Sequence, residues 1–367
     1  MRFHGVDRHK RFWTISQRDD SCREVAYVGR EYDPEGYLKG LGPEDVVAIE
    51  ASTGSFYWAD RIEARGARCV VVDPYRFRII RDSWNKTDRR DAVNLSLGLW
   101  MAHSSGECRL PEVYRPSLVV RQLRQLFSQW QLLNKQLRQF KSQIQNLLQE
   151  DGVTLTRQQA QHLVDYPGQA AGVLEGLSLS EGTRVCVRIS LKLLAGLLEQ
   201  KQHLREQIIR AGRPLEEQVK LLMGIRGITD LLALAFLADV GDIRRFGSLR
   251  RLQAYLGVVP RVHSSGGVTR MGHLNRCSRS LARTMLIQAI PHLADSSPLL
   301  RRWYNELMDR KGAARARIAV LRKIFATMRR MLIDGKPYRW LELPLYNKKL
   351  RAHQRTLERS KNRQEAA

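Results

Sequence analysis

Between residues 119 and 147 apolar side chains return at alternating spacings of four and three: Val119, Leu123, Leu126, Trp130, Leu133, Leu137, Phe140, Ile144 and Leu147. A strand repeats every two residues and a loop has no period, so about four such heptads predict one long amphipathic helix with an apolar seam. The intervening positions are mainly Gln, Arg, Lys and Asn, and the run stops near Asp151-Gly152. A seam of this length has to be covered. A second helical stretch, from about 185 to 209, carries Leu191, Leu194, Leu198 and Ile208 and can supply the cover. The two arms can close as a hairpin within one subunit, or the coiled coil can join a homo-oligomer, a dimer or tetramer.

The flanking regions obey other periods. An extended run begins at Phe3, continues through Phe12-Trp13-Thr14-Ile15-Ser16 and breaks at Arg18-Asp19-Asp20-Ser21, as a hairpin does. Residues 45–50 and 69–73 read as buried strands on either side of a helix over 57–64, which together predict a mixed sheet. A helix through Ala92, Leu95 and Leu99 follows, with Thr87 or Asn85 as its cap. Helical patterns fill 215–332, interrupted by the helical hairpin Gly224-Ile225-Arg226-Gly227-Ile228 and by the polar loop Pro260-Arg261-Val262-His263-Ser264-Ser265-Gly266-Gly267. The expected fold class is α/β plus mainly α. An α/β domain spans 1–110, a coiled-coil or helical middle spans 111–212, a mostly α-helical domain spans 213–345, and a basic, mobile tail spans 346–367.

Lys and Arg number 62 against 37 Asp and Glu, a formal net charge of +25. Self-repulsion of that size works against a compact state unless a polyanion is bound, and nucleic acid is the natural one. The hydrophobic content of 43% excludes wholesale disorder. The longest apolar stretch, 231–240, is about half the roughly 18 residues that a membrane span needs. Cys22, Cys69, Cys108, Cys186 and Cys277 are far apart, with no spacing suited to zinc or a redox pair. The charged first ten residues lack the apolar core of a secretory signal. A cytoplasmic protein associated with the nucleoid is expected.

Chemistry can sit at two places. Asp7 interrupts the first strand, Glu50 ends another, and Asp88 and Asp91 lie three apart at a helix start, hence on one face. Carboxylates so placed suit Mg²⁺, although acids at a helix N-terminus also serve the helix dipole alone. Farther on, Ser265 lies in the Ser/Gly loop ahead of Arg270, Arg276, Arg279 and Arg283. A hydroxyl among guanidinium groups can attack a phosphodiester, or the segment can be a turn beside a phosphate-contacting helix. The backbone amides of the hairpin at Gly224, Arg226 and Gly227 can cradle a phosphate, or the hairpin can be an ordinary helical corner.

Glu50-Ala51-Ser52-Thr53-Gly54, Val70-Val71-Val72-Asp73-Pro74 and Lys86-Thr87-Asp88-Arg89-Arg90-Asp91-Ala92 resemble the N-terminal domain of the DEDD transposases of bacterial insertion sequences. Leu222-Met223-Gly224-Ile225-Arg226-Gly227-Ile228, Ala254-Tyr255-Leu256-Gly257-Val258-Val259-Pro260 and Ser264-Ser265-Gly266 resemble that family's C-terminal domain. The resemblance implies a RuvC-like, ribonuclease H-type domain holding Mg²⁺ through Asp7, Glu50, Asp88 and Asp91, joined by a coiled coil to a domain with Ser265 as nucleophile. It also implies recombination of donor and target DNA guided by a structured bridge RNA, with the pilin-gene invertase as a relative. The family's Glu-Ala-Thr-Gly carries an extra Ser52 here, and its basic-x-Gly reads Arg276-Cys277-Ser278. The expectation is therefore a DNA recombinase. A junction-resolving nuclease would use the same acids with water, and a non-catalytic nucleic-acid-binding protein would need only the basic surface.

Overall fold

A computed structural model of the chain describes residues 1–77, 87–105, 110–167, 174–265, 268–274 and 278–365. It divides into two units, Met1–Arg115 and Pro116–Ala367.

The first unit is built on strands β1 (Arg2–Arg8), β2 (Trp13–Arg18), β3 (Glu24–Glu31), β4 (Asp45–Glu50) and β5 (Arg68–Val72) with helices α1 (Pro34–Lys39), α2 (Ser55–Glu63) and α3 (Asp88–Ser104). The strand order is β3-β2-β1-β4-β5, with β2 antiparallel and β4 parallel to the central β1. The run from Phe3 to Ser16 is two strands and not one: His9 N–H donates to the Phe12 carbonyl at 3.0 Å and the chain reverses between them. His9-Lys10-Arg11-Phe12 makes the turn between Arg8, which ends β1, and Trp13, which begins β2.

β4 and β5 read as continuous apolar runs because both faces of the sheet are covered. Val47, Ile49 and Val71 join Leu38, Ala59 and Ile62 in one core, whereas Ala48, Val70 and Val72 join Leu95 and Leu99 in the other. Thr87 caps α3 by accepting from Arg90 N–H at 3.3 Å. Gly5 lets that helix approach β1, since a Cβ at Gly5 would overlap the Ala92 carbonyl oxygen and the Ser96 nitrogen. Asp7, two residues on, points to the same face.

The second unit contains α4 (Leu118–Glu150), α5 (Arg157–Asp165), α6 (Glu181–Ala211), α7 (Glu216–Met223), α8 (Asp230–Val240), α9 (Leu249–Tyr255), β6 (Pro260–Ser265), β7 (Val268–Leu274), α10 (Leu281–Leu286), α11 (Ile290–Ala294), α12 (Pro298–Lys311), α13 (Ala313–Asp334) and α14 (Leu343–Glu365). Leu123, Phe127 and Leu133 share a core with Leu204, Ile208 and Ile209, while Leu137, Ile144 and Leu148 pack with Val187, Leu191 and Leu194. Early α4 thus meets late α6, so the arms are antiparallel. The seam is closed within the chain, and Leu133 and Leu137 are buried there instead of facing a second subunit. α8 is apolar on nearly every side, Asp239 apart, because it forms the centre of the unit, with all of 233–240 buried.

Two segments differ from expectation. Residues 260–265 of the Ser/Gly segment form a strand, β6, in which Ser264 pairs with Thr269 and Ser265 with Val268 of the antiparallel β7. The C-terminal tail is helical up to Glu365 rather than a free arm. Its His353, Thr356 and Ser360 are buried, and Thr356 accepts from Arg205 of α6 at 3.1 Å, so docked polar groups hold a helix whose composition is mostly hydrophilic.

Candidate metal centre

Asp7 comes from the central strand, His9 from the turn that follows it, and Asp88 from the first position of α3. His9 Nε2 lies 3.1 Å from Asp7 Oδ2 and 3.3 Å from Asp88 Oδ2. Among the described residues, Asp7, His9 and Asp88 are the group whose ligand atoms lie within 4.8 Å of one another. Burial pushes the Asp7 carboxyl above the usual aspartate range, His9 opposes this, and the charges of Asp91 and Asp88 push it further up. A cation bound beside Asp7 would offset the cost of ionising it.

The other two acids stand nearby in the fold but outside that group. Asp91 follows Asp88 by three residues on α3 and acts on Asp7 through its charge. Glu50 ends β4 one step beyond Ile49, the parallel partner of Val6. Sequence reasoning missed His9. A histidine two residues after Asp7 was a local signal, but the turn that begins at His9 is what brings its ring to the carboxylates. The donor set fits a hard divalent ion through its carboxylate oxygens, with the imidazole as a further nitrogen donor.

The expected phosphate-contacting residues of the second unit are placed differently from one another. Gly227 has φ +83° and a Cβ there would come within 3.1 Å of Leu293 N, so it is a close-packed corner against α11. A Cβ on Gly224 would meet the Leu221 carbonyl at 3.1 Å and Leu341 at 3.4 Å. Arg226 pairs with Glu342 at 3.2 Å. Asp230 and Thr229 accept from Leu231 and Leu232 N–H, so the chain itself caps the start of α8. Arg283 donates to the Gly257 carbonyl at 2.6 Å, Arg279 contributes positive charge near buried Asp239, and Arg270 is exposed on β7. Arg276, Gly266 and Cys277 lie outside the described residues, and Ser265 is placed by its backbone alone, at the end of β6.

Residues 219–305 match a family model described as "Transposase IS116/IS110/IS902 family". Relatives extend the similarity over most of the chain. A "Probable family 20 transposase" of Pseudomonas aeruginosa is 25% identical over 332 residues, covering 87% of this chain and 90% of the relative. The "Transposase for insertion sequence element IS1111A" of Coxiella burnetii is 26% identical over 299 residues, 80% of this chain and 79% of the relative. The "Transposase for insertion sequence element IS1328" of Yersinia enterocolitica is 25% identical over 291 residues, 73% of this chain and 78% of the relative. The matched segment and these long alignments, all to transposases, make the chain similar to the transposases of the IS116/IS110/IS902 family.

Proposed function

We propose that this protein is the transposase of an insertion sequence, cutting and rejoining DNA through an acidic metal centre and a serine nucleophile. The observation that carries the reading is the convergence of Asp7, His9 and Asp88 on the central strand of a mixed sheet, in a chain related to transposases along most of its length. That sheet, with a carboxylate on its middle strand, supports a ribonuclease H-type, RuvC-like reading of the first unit.

Asp7 and Asp88 would hold the ion, with Glu50 and Asp91 completing or charging its surroundings. Bound Mg²⁺ would polarise the scissile phosphate and favour departure of the sugar oxygen. The Ser265 hydroxyl would attack phosphorus, forming an Oγ–P ester as the P–O bond to the sugar breaks, with the serine proton passing to solvent or the leaving oxygen. Attack on that ester by a sugar hydroxyl of the second strand would rejoin DNA and free the serine. One phosphodiester is exchanged for another at each step, so no nucleotide triphosphate is consumed. The charge of +25 supports a large nucleic-acid partner, and the family resemblance supports a structured guide RNA beside the DNA.

The test is to trap a covalent protein–DNA species with Mg²⁺, RNA from the element and DNA carrying its ends. Ser265→Ala should abolish both adduct and recombination while leaving binding intact, and Ser264→Ala should be milder. Cleavage by Ser265→Ala at near wild-type rate would make water the nucleophile and the protein a resolving nuclease.

A further inference from the structure

The hairpin between α7 and α8 turns three backbone carbonyls, those of Met223, Ile225 and Ile228, toward one point, and the Lys349 ammonium of α14 sits there. Lys349 Nζ donates to Met223 O, to Ile225 O at 2.8 Å and to Ile228 O at 3.1 Å. An ammonium has three N–H donors, and here each finds one carbonyl. Met223, Ile225 and Ile228 are buried, so water has little access to these oxygens. Burial lowers Lys349 to about 8, with Glu342 pulling the other way, which leaves the amine mostly charged at neutral pH.

Lysine side chains usually meet carboxylates or water. Here the partners are uncharged carbonyl dipoles spaced two and then three residues apart around a tight turn whose Gly227 has positive φ. Inward-facing carbonyl oxygens are how a protein replaces the hydration shell of a monovalent metal ion. We infer that residues 223–228 form a monovalent-cation cage in which the tethered ammonium of Lys349 serves as the built-in cation, making the C-terminal helix part of the hairpin. Three partial negative charges brought together repel one another, so the turn holds its shape only while a cation of the right size is present. Without the amine, the cage would admit K⁺.

The contacts around the cage agree with this assignment. Glu342, just ahead of α14, pairs with Arg226, the side chain between the cage carbonyls, and His353 Nδ1 lies 3.2 Å from Asp230 Oδ2 where α8 begins. The C-terminal segment therefore meets the hairpin at three successive points, and only the middle one is a cation on carbonyls.

The full-length chain with Lys349→Met tests the cage, melted in KCl and in choline chloride at equal ionic strength, choline being too large to enter. The wild type should melt at the same temperature in both salts. The variant should melt about 5 °C lower in choline, regain at least half of that in KCl, and show faster amide exchange over 224–229 only in choline. A variant as stable as the wild type in choline, or one equally unstable or unfolded in both salts, overturns the cage. Lys349→Gln keeps neutral N–H donors and should also need K⁺; wild-type melting of Lys349→Gln in choline would mean that hydrogen bonding without charge suffices, and would overturn it as well.

Discussion

Asp7 of the first unit and Asp230 of the second are both buried, and their neighbours act on them in opposite ways. In the second unit, burial alone would raise Asp230, but its hydrogen bond with His353 and the Arg205 charge 3.1 Å away overcome this and hold it below the usual aspartate range. In the first unit, Asp7 has His9 on one side and two further carboxylates nearby, and the balance goes the other way. A charge matched from within is structural. A charge less fully matched, as at Asp7, would gain from a cation the chain does not itself supply.

The largest effect that sharpens this contrast is on activity. Asp7→Asn or Asp88→Asn should reduce strand cleavage on the order of 10³-fold or more, by loss of a metal ligand worth several kcal/mol in the transition state, with nucleic-acid binding retained. Gel-shift and cleavage assays on the same preparation separate the two. Stability should answer inversely. Asp230→Asn leaves the Arg205 and His353 ends short of an anion and should cost about 3 kcal/mol in urea unfolding, whereas Asp7→Asn should hold or slightly raise the midpoint. Equal destabilisation by both would break the comparison.

The same pair differs in its response to pH and ions. Because the folded Asp230 ionises below its ordinary value of 3.8, its stabilisation is fully present above that value and is lost as pH falls through the lower, folded one. Asp230→Asn should remove that acid limb from the stability profile. Mg²⁺ at about 100 times its Kd should stabilise the wild type by about 2.7 kcal/mol, seen as a thermal shift, and should do nothing for Asp7→Asn. The smallest expected change is Gly227→Ala, about 1–2 kcal/mol, from the φ of +83° and the close approach to Leu293. If Gly227→Ala weakened DNA binding without touching stability, the hairpin would be a nucleic-acid contact and not a packed corner.

Much of this was legible in the sequence because it is periodic or local. The heptads from Val119 to Leu147 announced α4, the Thr87 cap announced α3, and Asp88 and Asp91 announced a shared helix face. What covers a seam is not periodic information. Leu133 and Leu137 have the same pattern whether α6 or a second subunit covers them, and the covering α6 starts thirty residues beyond the end of α4, counting from Asp151 to Ser180. The turn at His9 was hidden for a related reason: the strand residues on both sides favour extension, and only pairing of β1 with β2 shows where the chain reverses.

By itself the sequence determined the basic charge, the mixed α/β start, the long helices and the candidate acids, since each follows from side chains within a few residues of one another. Tertiary structure alone decided that His9 stands between Asp7 and Asp88, that the seam closes within the chain, and that Lys349 reaches carbonyls more than 120 residues away in the chain. Local patterns specify which face of an element is apolar or charged. Which face meets which is set by the free energy of packing all elements at once, and small residues such as Gly5 decide it by permitting a contact that carries no signal of its own.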